Sequence, residues 1–529
     1  MRFTLILVAL GIGASGIQLS LPVWSPDRRD GTFTNPVLYA DYSDPDAVRV
    51  GDDFFMVSSS FNAVPGLPVL HSRDLVNWEL INHALPKLVP ESVFATPRHG
   101  AGVWAPAIRH HAGRYWIYYP DPDHGIYVIT AADPRGQWSA PQLVKAGKGL
   151  IDPCPLWDDD GNAYLVHAFA RSRAGFANVL HLNRLAADGT KVTDEGRVVI
   201  DGDRIPGYTT LEGPKFYKRN GWYYIFAPAG GVKQGWQSVF RSRRIDGPYE
   251  GRIALAQGST DINGPHQGAL VDTPGGEWWF LHFQDVEAYG RIVHLQPVLW
   301  KNDWPVIGAD DDGDGTGEPR RSWKKPALPA WKMVAPPSSD TFNSARLGLQ
   351  WQWQANPERW WLEHPTGGGV QLRAVPAQPN LWHAAHLLLQ KFPAREFTAT
   401  VDIDASGLRE GERAGLVIFG ADYAWIGVER RSGAQRLVLR LMDNAAQGTL
   451  EREAATVALS GRSVTLRVSV EAGAVCRFAV VRETEETVGP SFTAKPGRWV
   501  GAKLGVFAAA PLGSRDTGHV LVRSFVVSR

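Results

Sequence analysis

A turn signature recurring through the first 325 residues constrains this fold more than any other feature of the chain. His71-Ser-Arg-Asp-Leu-Val-Asn-Trp-Glu79 is echoed by Thr130-Ala-Ala-Asp-Pro-Arg-Gly-Gln-Trp138 and Ser242-Arg-Arg-Ile-Asp-Gly-Pro-Tyr249, with a weaker copy at His181-Leu-Asn-Arg-Leu-Ala-Ala-Asp-Gly189. Each copy follows an alternating apolar run (Phe54 to Ser58, Ile126 to Thr130, Val179 to Leu182, Ser238 to Arg241) and precedes another. Within a unit, the Asp-Gly-like turn reverses the chain and the Trp or Tyr packs between sheets. A spacing of roughly 50–60 residues is that of four-stranded propeller blades. Helical periodicity is almost absent. The expectation is an all-β chain with a five-bladed β-propeller over residues 31–325. Tyr115–Tyr119, Tyr164–His167, Trp222–Phe226 and Trp278–Leu281 are read as the inner positions of its blades.

At 529 residues the chain exceeds one ordinary domain. Its composition shifts near 309–336, where an acidic Gly-rich stretch gives way to Lys324-Lys-Pro and Pro336-Pro337, and residues 326–337 are read as a linker. Asp310, Asp312, Asp314 and Gly315 match the start of an EF-hand-like loop, but position twelve is Arg321 rather than Glu, which favours a solvated acidic loop. Beyond it, Phe397–Asp402, Ala414–Phe419, Leu437–Leu441 and Val464–Val470 alternate as antiparallel strands. Residues 338–529 therefore read as a jelly-roll-like β-sandwich. Its cluster of Trp351, Trp353, Trp360 and Trp361 is assigned to docking against the propeller.

A formal net charge of +1 provides no basic field for nucleic acid or acidic membranes. The apolar run Phe3–Gly13 after Met1-Arg2 fits a signal peptide over residues 1–16, which implies a secreted or periplasmic protein with no membrane association beyond export. Cys154 and Cys476 fall in different domains and are read as unpaired; Cys154 is read as a small packed residue rather than a nucleophile.

Three carboxylates stand where short apolar runs meet Pro or Gly turns: Asp44 in Tyr-Ser-Asp-Pro-Asp, Asp152 in Leu-Ile-Asp-Pro-Cys-Pro and Glu212 in Thr-Leu-Glu-Gly-Pro-Lys. A repetitive sheet can bring such distant turns to one point. Converging acids suit glycoside hydrolysis, in which one carboxylate activates water and another protonates the leaving oxygen. The acid must hold its proton near neutral pH, which burial or a neighbouring like charge provides. Glu212 is accordingly read as the general acid, Asp44 as the general base and Asp152 as the residue that tunes the acid.

Asn35-Pro-Val-Leu, Asp44-Pro, Val50-Gly-Asp-Asp-Phe-Phe, the His71–Glu79 signature, Val103-Trp-Ala-Pro-Ala-Ile, Asp152-Pro and Glu212-Gly-Pro, in that order, resemble glycoside hydrolase family 43. The region after 338 resembles the sandwich attached to the β-xylosidase branch of that family. The resemblance implies an exo-acting, inverting enzyme on β-D-xylosides or α-L-arabinofuranosides, with xylo- or arabino-oligosaccharide substrates and no required cofactor. It implies the same three catalytic roles, and substrate contacts from Trp104, Arg291, Phe61 and His266, the last a calcium ligand in some members. Asp46 departs from the family's small residue and would place a further acid near the site. The alternatives are a non-catalytic sugar-binding propeller and an endo-acting arabinanase. Sialidase or retaining fructan-cleaving chemistry would need motifs that do not stand out here.

Overall fold

The computed structural model describes residues 22–459 and 461–529, so the expected signal peptide lies outside the described residues. Among these, the only α-helix is the single turn Arg171–Ala174. Among the described residues no helix is long and apolar enough to cross a membrane.

Five four-stranded antiparallel sheets form the propeller, and each is contiguous in sequence. Blade 1 comprises Asp46–Val50, Asp53–Val57, Gly66–Ser72 and Glu79–Leu85; blade 2, Ala107–His111, Arg114–Asp121, Gly125–Ala131 and Gln142–Ala146. Blade 3 comprises Leu150–Trp157, Ala163–Phe169, Val179–Leu185 and Arg197–Asp201; blade 4, Lys215–Arg219, Trp222–Ala229, Trp236–Ser242 and Glu250–Leu255. Blade 5 comprises His266–Asp272, Trp278–Asp285, Arg291–Lys301 and Trp304–Ile307. First strands pack against one another between blades 5 and 1, 1 and 2, 2 and 3, and 3 and 4, while the first strand of blade 5 meets the second and third strands of blade 4.

The recurring signature joins third strand to fourth. In blade 1 the Asp74 carboxylate accepts the N–H groups of Val76 (3.0 Å) and Asn77 (2.7 Å), while the Trp78 indole donates to Leu75 O at 2.8 Å. Trp78 and Trp138 are buried beneath these turns. One assignment changes: the aromatic runs at 115–119, 164–167, 222–226 and 278–281 form second strands, not the innermost ones. A second strand is covered by adjacent blades on both faces and can bury large rings, whereas first strands crowd the axis.

No blade combines strands from both ends of the propeller sequence, so blade 5 meets blade 1 without strand exchange. Arg49 grips Asp272 across this junction through two parallel bonds of 3.0 and 2.7 Å. The Asn35 amide bridges Leu295 O (2.8 Å) and Arg320 O (2.7 Å), and Thr32–Thr34 pairs with Ser322–Lys324.

The C-terminal region is two facing sheets. One is built around His519–Ser528, Phe397–Asp404 and Ser463–Glu471, the other around Lys503–Pro511, Arg413–Phe419 and Tyr423–Arg431. Phe397–Asp404 alternates strictly between buried and half-buried positions, the pattern of a sheet with one face in the core. That core continues into the propeller through Ala288, Tyr289 and Ile292. Trp353 exchanges backbone bonds with Val64 of the propeller (2.6 and 3.0 Å), which is the docking role expected of its cluster; Trp351 is sandwich core and Trp360 is exposed. In the acidic loop, carboxylate oxygens of Asp310, Asp312 and Asp314 lie within 4.8 Å of one another, but Asp310 is engaged by Lys301 at 2.8 Å.

Candidate active site

The three carboxylates reach one pocket of about 500 Å³, lined by Asp44, Asp152, Glu212, Phe61, Trp104, Gln267, Arg291 and Trp499 among others. Local backbone irregularities aim them. Asp44 (φ 54°) ends the loop before the first strand of blade 1, and Phe61 (φ 50°) lies in the following loop. Asp152 (φ 57°) occupies a bulge in the first strand of blade 3, where pairing skips from Ile151 to Cys154. Gln267 (φ 40°) is the extra residue of a second bulge, between His266 and Gly268 in blade 5. Bulges re-aim side chains, and non-glycine residues in left-handed conformations cost about 1–3 kcal/mol each. With Trp499 (φ 65°), five such residues around one pocket mark it as the place where the fold spends stability on geometry.

Asp44 is buried and held from two sides. Arg291 Nη1 donates to its Oδ1 and Oδ2 at 2.9 and 3.1 Å, and Ser59 Oγ donates to Oδ2 at 2.5 Å. Arg291 comes from the third strand of blade 5, so this pair spans the junction that closes the ring. Asp152 accepts the Gly213 N–H at 2.7 Å. Only glycine suits position 213, because a Cβ would meet the Gln267 side chain at 2.9 Å and the backbone is left-handed. Glu212, whose N–H donates to Pro228 O at 3.1 Å, places Oε1 3.2 Å from His266 Nε2.

Burial, and next the Glu212 carboxylate, push Asp152 up to about 8, against the Gly213 bond and the Lys215 ammonium. Asp152, beside Glu212, therefore holds a proton at neutral pH. Glu212 is the more open of the two and can deliver it to a group in the pocket. Asp44, gripped by a guanidinium and a hydroxyl, suits the role of water activator.

The remaining wall is aromatic. The Trp104 ring packs 6.2 Å from Phe61 and 6.2 Å from Trp499 between centroids, the latter edge-on. Arg173 covers Trp104 at 5.4 Å. Trp499 belongs to the sandwich and stands at the tip of a tight loop closed by Gly497 N to Val500 O (2.8 Å). The pocket is thus completed by the second domain.

Six of the seven expected site residues, Asp44, Asp152, Glu212, Phe61, Trp104 and Arg291, line this pocket. His266 lies behind it as the partner of Glu212. Its Nδ1 is buried without a protein partner, and among the described residues no group of three His, Cys, Asp or Glu includes it. Asp46 is not a further pocket acid. It is fully buried between blades, ion-paired with Arg109 at 2.6 Å and bonded to the Ile108 N–H at 2.8 Å. Cys154 is free and buried, accepting from Arg109 (2.8 Å) and the Phe216 N–H (3.2 Å); burial raises its thiol pKa. Sequence reading missed Ser59, Gln267 and Trp499. Gln267 adjoins the recognised His266, whereas nothing in the sequence marked Ser59 or Trp499.

Residues 33–305 match the family described as glycosyl hydrolases family 43, and residues 339–528 match the β-xylosidase C-terminal concanavalin A-like domain. A Xylanibacter ruminicola protein assigned as a β-xylosidase is 43% identical over 78% of this chain and 75% of its own. A non-reducing end α-L-arabinofuranosidase of Bacteroides ovatus is 27% identical over 96% of this chain and 95% of its own. The structure of xylan β-1,4-xylosidase from Bacillus halodurans superposes with a TM-score of 0.82 at 24% identity, covering 94% of this chain and 100% of that one, and shares the fold.

Proposed function

This chain belongs to glycosyl hydrolase family 43, and on that premise we propose that it removes single pentoses, β-D-xylose or α-L-arabinofuranose, from the ends of hemicellulose oligosaccharides with inversion. Asp44 is the base that activates water. Glu212 is the acid that protonates the leaving oxygen. Asp152 keeps the proton on the pair. The observation that carries this reading is the convergence of the three carboxylates in one pocket walled by Trp499 of the sandwich. A recess completed by two domains suits one terminal sugar better than the middle of a long chain.

Trp104 and Phe61 offer apolar surface to the sugar face, and Arg291 a donor to its hydroxyls. The Gln267 amide nitrogen has no protein partner and can meet a sugar hydroxyl. The Xylanibacter relative favours β-D-xylosides; the Bacteroides relative supports α-L-arabinofuranosides as the second reading. The Arg2-led apolar run supports export to the periplasm or medium, which N-terminal sequencing of the mature protein tests.

Hydrolysis of aryl β-D-xyloside and aryl α-L-arabinofuranoside, side by side with Asp44→Ala, tests the assignment. Activity lost in the variant, with the inverted anomer seen first by NMR, is expected. Turnover of neither glycoside, or full activity in Asp44→Ala, overturns it.

A further inference from the structure

Three residues before Asp44, a buried carboxylate touches both halves of the catalytic apparatus without entering the pocket. Asp41 accepts the Arg291 N–H through Oδ1 and the Gly501 N–H through Oδ2, both at 2.9 Å. Arg291 grips Asp44. Gly501 follows Trp499 by two residues in the sandwich loop. One side chain therefore joins the backbone that carries the base's clamp to the backbone that carries the pocket's outer wall.

The packing leaves the joint little slack. Gly290 adopts φ 71° and ψ −146°, and a Cβ there would stand 2.5 Å from the Asp41 carboxyl and 2.7 Å from Gly501 N. A Cβ on Gly501 would stand 2.7 Å from Gly290 N. Next to these glycines, Ala502 N donates to Ala288 O at 2.7 Å. The two backbones meet almost in van der Waals contact, and Asp41 supplies acceptors to the donors on either side. A hydrophobic interface could slide by fractions of an ångström; this one is fixed by two charge-assisted bonds of defined direction.

We propose that Asp41 is a positioning residue for catalysis, which sets Arg291 and Trp499 in register so that docking of the sandwich and alignment of the base are one event. This rests on Asp44 being the base. Asp41 touches no substrate. It acts through Arg291 on the turnover step and through Trp499 on the fit of the sugar, so its loss should move kcat and KM together.

The test is a double-variant cycle on the full chain with an aryl β-D-xyloside or α-L-arabinofuranoside, whichever the wild type turns over. Asp41→Asn is isosteric but carries one acceptor where two are needed, and its amide nitrogen would face an N–H. It should lower kcat about tenfold and raise KM, while Trp499→Ala alone raises mainly KM. Combined, the two should raise KM no further than the larger single effect. Gly501→Ala, which pries the same joint from the sandwich side, should reproduce the Asp41→Asn pattern in a chain that keeps Asp41. Wild-type kinetics in Asp41→Asn, or KM effects that multiply, overturn the proposal. Asp44→Ala in the same panel separates the two readings. An inactive Asp44→Ala beside a wild-type-like Asp41→Asn sinks only the joint, whereas an active Asp44→Ala sinks the base assignment.

Discussion

Gly213 donates its backbone N–H to Oδ2 of Asp152 across 2.7 Å, so the residue that follows the proposed acid is tied to the residue that tunes it. The bond favours ionised Asp152; burial and Glu212 oppose it and prevail, leaving the carboxyl at about 8. The kcat/KM profile should therefore fall as pH rises through about 8, where the Asp152 proton is lost. Asp152→Asn removes the like charge that retains the proton and should move that alkaline limb to lower pH. A pH–rate series on both proteins checks this. Stability follows the same sign. The native carboxyl keeps a proton that the unfolded chain releases near 3.8, so its contribution is full below that pH and is lost as pH climbs towards about 8. Thermal unfolding against pH should be flatter in Asp152→Asn.

Glu212→Gln keeps the shape of the acid but cannot give up a proton. Cleavage of xylo- or arabino-oligosaccharides should fall by about 10²–10⁴-fold, the usual worth of a general acid. Aryl glycosides with acidic phenol leaving groups should be largely spared. Equal losses on both substrate types would mean that Glu212 is not the proton donor.

Arg291→Met leaves the buried Asp44 carboxylate without its cation. Removing one partner of a buried ion pair costs about 3–5 kcal/mol, so denaturant unfolding should shift to clearly lower concentration. kcat should fall together with stability. A variant with wild-type stability would show that the 2.9 Å contact contributes little.

Trp499→Ala opens the pocket on its sandwich side. KM for the preferred aryl glycoside should rise several-fold with kcat reduced less, read from Michaelis–Menten curves. An unchanged KM would show that the sandwich loop only neighbours the sugar site.

Much of this architecture was readable because blades and turns repeat. An Asp followed by a Trp or Tyr recurs at the third-to-fourth turns of blades 1, 2 and 4, so local chemistry recurs in the sequence. The acids Asp44, Asp152 and Glu212 were legible because each sits beside a Pro or Gly that breaks a strand. Asp46, an acid where the family has a small residue, was expected near the site, and positions two apart in an extended strand do share a face. The left-handed backbone at Asp44 cancels that parity and leaves Asp46 facing Arg109 between blades. Gln267 became visible only with the bulge that turns it inward, since no residue type announces a skipped pairing. Trp499 lies more than 450 residues after Asp44, and only domain docking makes the two neighbours.

The propeller's seam is the one junction between adjacent blades that no short loop crosses. Arg49 and Asp272 hold it at one place, and Arg291 and Asp44 hold it at another. The proposed base is therefore part of the latch that keeps the ring shut. Warming that parts blades 1 and 5 would withdraw the clamp from Asp44 before any blade melts. Activity should be lost reversibly several degrees below the cooperative unfolding seen by calorimetry, and substrate or product filling the pocket should raise the temperature of that earlier loss.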